Sequence, residues 1–243
     1  MSKRTDTKLA AAKQELNIHL PDTRGVTISR WGRGNLKLGM DGVYTYSRLP
    51  GRPDGLYESV AFAAGFAPGT SIGTCPGSTE KCESICYAKR VINTPMVWDV
   101  WARNGPEEAI LDESLPADAK IVRIHVSGDF DTPRYIQHWI KLVLEHPDVQ
   151  FFGYTRSWRV PELLYDLNRL RGLPNVQLFA SVDKSRDELP PADWRRAWLE
   201  DDSRIGMDVP SYVCPEQTGR KANCQECGYC IVGQKNDVTF ILY

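Results

Sequence analysis

Three stretches of the chain alternate apolar and polar residues with the period of a β-strand: IVRIHVSGDF from Ile121, VQFFGYTRS from Val149 and VQLFASVDKS from Val176. Between them the pattern changes to a helical period. Thr132-Pro133 supplies an N-cap with proline at the first helical position, and Ile136, Trp139, Ile140, Val143 and Leu144 then form one face. Leu163, Leu164, Leu167 and Leu170 make a second apolar stripe that stops at Gly172, with Pro174 beyond it. Strand starts recur at about 27 residues, the length of a strand plus a crossover helix, so parallel βαβ units are expected. The fold class predicted is α/β, either a partial or complete βα barrel of TIM-like form or an open doubly wound sheet, with the barrel preferred. It forms a single domain over 1–243.

The rest of the chain decorates this frame. Met1–His19 reads as a polar helix, giving an N-terminal extension over 1–20. GVTISRW from Gly25 reads as a strand, and LKLGM and VYTYS flank Asp41-Gly42, a two-residue hairpin signal. Together they make small N-terminal β additions. Leu49 to Thr74 is rich in Gly and Pro and loops around SVAFAAGF, whereas Arg195, Arg196 and the nearby acids read as a solvated helix face.

Alternation within the three strands separates two faces. Val122, Ile124 and Val126 share one side of the first strand, opposite Arg123, His125 and Ser127. The second strand opposes its apolar side with Gln150, Phe152, Tyr154 and Arg156, and the third with Gln177, Phe179, Ser181 and Asp183. Helices covering the apolar sides leave the other sides to line a hydrophilic hollow; the alternative is one solvated sheet face.

Composition narrows the class. Lys and Arg total 30 and Asp and Glu 31, a formal net charge of −1. That balance excludes a strongly basic nucleic-acid footprint and leaves room for a local patch. Apolar runs fall short of the roughly 18 residues that a membrane helix needs, and the basic start has no apolar signal core behind it. Seven cysteines are too few and too clustered for a small secreted disulfide scaffold, and an odd number cannot all pair. A reducing cytoplasm is the compartment expected.

Those cysteines carry the chemistry. Cys75, Cys82 and Cys86 lie in TCPGSTEKCESICYA, with gaps of six and three residues. Three thiolates without a local fourth suit a 4Fe–4S cluster that keeps one iron open, with zinc and a distant fourth ligand as the rival. Cys224, Cys227 and Cys230 follow one another at two-residue gaps, with nine residues separating Cys214 from Cys224. The run has ferredoxin spacing, and four thiolates would close the site for electron relay or structure, with zinc again the alternative metal. This defines a C-terminal cysteine-rich metal-binding segment over 211–235. One cluster drawing ligands from both segments is the competing arrangement to two.

The loop CPGSTEKCESICYA, the strand end HVSGDF about 40 residues later and then YTRS resemble, in that order, a phage-encoded family called gene product eighty-eight. The resemblance runs from about Leu36 to Tyr243 and implies the cytoplasm of an infected host. More distantly, the layout is similar to radical S-adenosylmethionine enzymes, which place a three-cysteine loop near the start of a partial βα barrel. That second resemblance implies an oxidoreductase or transferase with S-adenosylmethionine as cofactor. It implies that Ser127, Gly128 and Asp129 contact the amino group of the nucleotide's methionine, that Arg156 pairs with its carboxylate, and that Ser181 and Asp183 reach the ribose. His125, Asp129 and Arg156 would then be the catalytic candidates, with a small-molecule or nucleotide-like substrate and an external electron donor. The loop departs from the radical family's pattern of three- and two-residue gaps, and Ile85 rather than an aromatic precedes Cys86. The resemblance therefore bears on the cluster more directly than on the reaction. Without a reaction, the chain would be a metal-binding module presenting a surface to a protein or nucleic-acid partner.

Overall fold

The computed structural model describes residues 28–53, 73–88, 95–183, 189–200, 211–233 and 236–242. The helix expected over the N-terminal extension and the SVAFAAGF segment lie outside them. Of the strand expected at 25–31, residues 28–31 are described and are irregular.

Among the described residues eight strands form one sheet: β1 (Gly32–Arg33), β2 (Val43–Tyr46), β3 (Ile121–Ile124), β4 (Gln150–Thr155), β5 (Val176–Val182), β6 (Arg196–Glu200), β7 (Ser211–Val213) and β8 (Asp237–Ile241). Their order is β1-β2-β3-β4-β5-β6-β8-β7. β1 runs antiparallel to β2, and every other neighbouring pair is parallel. The longer helices are α2 (Pro95–Arg103), α3 (Pro133–Glu145) and α4 (Pro161–Arg171); α1 (Glu80–Ser84) and α5 (Cys224–Cys227) are single turns.

This order dictates where the connections lie. From β2 to β6 each strand is added on the same side of its predecessor, so right-handed crossovers put the linking helices on one face. The step from β7 to β8 runs backwards through the sheet, and the same handedness sends that connection to the opposite face. The connection is the cysteine-rich segment. It lies where the rule sends it: Cys224, Cys230 and Ile231 pack with Phe152, and Cys214 with Phe179 and Val238.

The helix-covered face holds the main core. Val122, Ile124, Phe151, Val176, Leu178 and Ala180 meet Ile136, Trp139 and Val143 of α3 and Leu163, Leu167 and Leu170 of α4. Each fully buried large apolar side chain here contributes about 1.5–3 kcal/mol. Thr132 caps α3 by accepting from the Tyr135 N–H, as its sequence predicts. The buried arc of α3 is turned toward Tyr135 and Leu142, which leaves Leu144 62% exposed, against the sequence reading.

Three further expectations are corrected. LKLGM is a turn rather than a strand: Asn35 accepts from the N–H groups of Lys37 and Leu38 through its side chain, and Leu38 is buried. The strand that pairs with β2 is Gly32–Arg33, so the hairpin loop is longer than Asp41-Gly42. Arg196 begins β6, beside β5 and β8, instead of lying on a solvated helix. On the face opposite the helices, Phe152 and Phe179 are fully buried under the cysteine-rich segment, with Tyr154 between them at centroid distances of 6.3 and 5.4 Å. The hydrophilic lining expected there is thus largely aromatic and covered.

Candidate metal centre

The first three thiols sit at the carboxyl ends of the central strands, where parallel α/β folds place ligands. Their loop is stitched down residue by residue. The Cys75 N–H donates to the Gly51 carbonyl at 2.8 Å, and Thr74 Oγ1 donates to the Leu49 carbonyl at 2.8 Å. The Asp129 N–H donates back to Thr74 Oγ1 at 3.3 Å. Thr79 caps α1 by accepting from the Cys82 N–H, and its hydroxyl donates to Asp183 Oδ2 at 2.6 Å. Tyr87, just past Cys86, donates its hydroxyl to the Val126 carbonyl.

Two glycines make the approach close. Gly128 has φ +79, and a Cβ there would stand 2.7 Å from Thr74 Oγ1. A Cβ on Gly77 would stand 2.1 Å from the Arg156 carbonyl oxygen, which is backbone and cannot move aside. Gly77→Ala is therefore expected to lift the Cys75 loop off the end of β4, lowering stability by about 1–3 kcal/mol and loosening metal at this group. Denaturant unfolding together with metal analysis checks it, and unchanged stability would contradict the packing described.

The residues from the strand ends converge on this loop, though largely on one another. Asp129 Oδ1 accepts from Thr155 Oγ1 at 2.6 Å and the Phe130 N–H at 2.8 Å, and its Oδ2 accepts from the Arg156 N–H at 2.8 Å. Burial pushes the Asp129 carboxyl up to about 6 against these bonds. Arg156 Nη1 donates to Asp183 Oδ2 at 3.0 Å. Burial also raises the Cys82 thiol, while the charge of Arg156 and its hydrogen bond to that sulfur oppose the rise. Arg156 thus links the β5 end to a thiol. Ser127 is buried and its Oγ has no hydrogen-bond partner among the described residues. Ser181 gives its carbonyl to Trp158 Nε1 at 3.0 Å.

His125 lies elsewhere. Its φ of 55 breaks the strand alternation after Ile124 and turns the ring to the helix-covered side. There Nε2 is 2.9 Å from the Tyr135 hydroxyl, and the ring packs on Phe130 and Trp139 at centroid distances of 4.6 and 6.0 Å. Burial moves its pKa well below the usual histidine value. The structure therefore takes His125 out of the face that the alternation assigned to it and into the aromatic core.

The second group is built on the β1–β2 turn. The N–H groups of Cys224 and Gln225, unpartnered within the single turn α5, donate to the carbonyls of Lys37 and Leu38 at 2.8 and 3.0 Å. Asn223 caps the same turn, and Gly228, at φ 68, ends it. Burial pushes the Cys224 thiol up to about 11 and that of Cys230 up to about 12. Cys214 acts on both electrostatically, and Tyr154 hydrogen-bonds to the Cys230 sulfur. Likewise the thiols that act on Cys75 are Cys82 and Cys86. The division into two groups follows these couplings; Cys227 lies on α5 and is partly exposed.

All seven cysteines are free thiols. Among the described residues, no three His, Cys, Asp or Glu side chains stand close enough to hold a single metal ion. Sulfurs bound to zinc must come within about 2.3 Å of one centre, whereas thiolates on a polynuclear cluster each bind a different iron and stand farther apart. The donors are all sulfur and fall in two stretches, a donor type that suits either iron–sulfur clusters or zinc. Buried thiols with raised pKa values surrender their protons on metal binding, so loading would release protons.

Sequence reasoning missed the residues that hold the site in place. Arg48 is 1% exposed and donates to the Asn104 carbonyl at 3.0 Å, the Asp129 carbonyl at 3.4 Å and Asp131 Oδ1 at 2.5 Å. Asn104 ties the carbonyls of Arg30 and Ser47 together. Neither lies in a motif, and only the tertiary contacts reveal them.

The fold and site define a cysteine-rich α/β protein whose thiols gather at the strand ends and across one face of a mostly parallel sheet. The chain belongs to the gene product 88 family, whose pattern matches residues 33–233 and so spans both cysteine groups. It is similar to the Gene 88 protein of Mycobacterium phage L5, 25% identical over 196 residues, which are 67% of this chain and 80% of that protein. It is also similar to the Gene 88 protein of Mycobacterium phage D29, 26% identical over 196 residues with the same coverage. No solved structure matches this chain. No helix among the described residues is long and apolar enough to cross a membrane.

Proposed function

We propose that the chain is an iron–sulfur protein with two clusters, one held by Cys75, Cys82 and Cys86 and one by Cys214, Cys224, Cys227 and Cys230. What supports this is the division of the free thiols: Cys75 is coupled to Cys82 and Cys86, Cys230 is coupled to Cys214 and Cys224, and Cys227 lies on the same single turn as Cys224. In this reading the sheet curls as part of a βα barrel, and the first group occupies its mouth. Three protein ligands leave one iron for an outside molecule, whereas the second group closes its site.

The finer reading is a redox enzyme resembling the radical S-adenosylmethionine class. A cluster held by Cys75, Cys82 and Cys86 and reduced by an external electron donor would supply the single electron that reductive chemistry on S-adenosylmethionine requires. The chain's own part is positional. Ser127 offers a buried hydroxyl with no partner among the described residues, and Gly128 lets backbone approach closely. Arg156 holds Cys82 against Asp183 and keeps donors to spare.

One observation favours a second reading. Asp129, Arg156 and Asp183 already satisfy one another and the loop, as the scaffold of a non-catalytic metal module would. The two separate in one experiment on reduced, anaerobically purified protein. The enzyme reading expects the cluster's spin-resonance signal to change when S-adenosylmethionine is added. A signal unmoved at saturating nucleotide leaves the module.

A further inference from the structure

One cation on the cysteine-covered face has no role in the reading above. Arg123, in the middle of β3, stands opposite Thr45 on β2 and Phe152 on β4. Its guanidinium lies 5.4 Å from the centroid of the Tyr154 ring, and its Nε is buried with no hydrogen-bond partner among the described residues. Arg195, which also lies on this face, is engaged: it donates to Gln177 Oε1 at 2.7 Å and to the Asn236 carbonyl at 3.1 Å. The charge of Arg123 is felt both at Tyr87, beside the first thiols, and at Cys224 in the second group. The ring it lies on, Tyr154, packs with Cys224 and Cys230, and Tyr87, next to Cys86, donates to the Val126 carbonyl three residues beyond Arg123, so Arg123 lies toward both groups.

A buried guanidinium N–H without a partner is unfavourable, and in native proteins such groups generally find a protein, water or ligand partner. The planar fork of an arginine matches carboxylate and phosphate oxygens two at a time, and stacking on Tyr154 holds its plane. Arg123 is also partly exposed, so a ligand can reach it. The geometry points to Arg123 as the anchor of an oxyanion site that takes the carboxylate or phosphate of a small-molecule substrate between the two thiol groups. This rests on reading that face as the substrate side of the first metal centre.

The test uses the full chain, purified anaerobically with its iron counted, and titrated by calorimetry with inorganic phosphate and separately with acetate. Saturable binding of at least one is expected, weakened by about tenfold or more in Arg123→Gln and unchanged in Arg33→Gln, an exposed arginine on β1. The stronger of the two responses assigns phosphate or carboxylate. Where Arg123→Gln folds poorly, Arg123→Lys keeps the charge without the fork and is expected to bind more weakly at full iron content. Binding of neither anion, or equal binding in the variants, overturns the site. Iron-free protein that still binds through Arg123 would end the metal reading and leave the oxyanion site in place.

Discussion

Arg48→Met is expected to destabilise the fold by about 3–5 kcal/mol, which for a chain of this size lowers the melting temperature by roughly 10 °C. Arg48 is fully buried, and its guanidinium bridges the Asn104 and Asp129 carbonyls, the Asp131 carboxylate and the Gly105 carbonyl while lying 4.1 Å from the Tyr135 ring centroid. Methionine fills much of the space but leaves those oxygens without a donor and the Asp131 carboxylate, 17% exposed, without its cation. The backbone of Arg48 also donates to Ser127, so the substitution disturbs the segment beside the first thiols. Thermal unfolding of the purified protein measures the effect. A loss below about 1 kcal/mol would mean that Arg48 is far better hydrated than its burial indicates.

Arg48 also marks the limit of what the chain discloses in one dimension. The strands β3, β4 and β5 and the helices α3 and α4 are legible because their apolar periods are long and their caps are explicit. The assignment of Val122 and Ile124 to the helix-covered face is legible for the same reason. Arg48 is not, since a buried arginine is defined by carbonyls more than 50 residues away in the sequence. The Leu36–Leu38 alternation imitates a strand, but the Asn35 side chain captures the backbone locally and makes a turn. His125 follows a perfect alternation in sequence and leaves it in space through a single positive φ.

The candidate site divides in the same way. Asp129 and Arg156 are legible from their places at strand ends, and hydrogen bonds join Asp129 to Arg156 and Arg156 to Asp183, while the cysteines stand in two separate stretches. Their internal pairing is not legible, because hydrogen bonds such as Arg156–Asp183 and Thr79–Asp183 join residues that no motif connects. Nor is the covering of the opposite face legible from the cysteine spacing alone. It follows from strand order, since only the insertion of β8 between β6 and β7 reverses the crossover.

The second large effect concerns the metal. On the two-cluster proposal, Cys82→Ala is expected to remove roughly half of the iron and leave the other half, since it takes one of the three thiolates from the first cluster. Cys224→Ala should do the reverse, removing the iron held across the aromatic face while sparing the group at the strand ends. The physical ground is that the thiols coupled to Cys75 are Cys82 and Cys86, whereas those coupled to Cys230 are Cys214 and Cys224. Combining the two substitutions should remove all iron. Loss of all iron from a folded Cys82→Ala variant would instead show one site shared by both segments. The second group should also contribute more to folding, because it bridges the β1–β2 turn and the sheet face. Cys224→Ala is accordingly expected to be the less stable of the two.

The most direct test of the central claim is the iron and acid-labile sulfide content of the anaerobically purified chain. Two clusters predict brown protein with roughly eight iron and eight sulfide per chain. Colourless protein carrying stoichiometric zinc without sulfide, or carrying no metal at all, would contradict it.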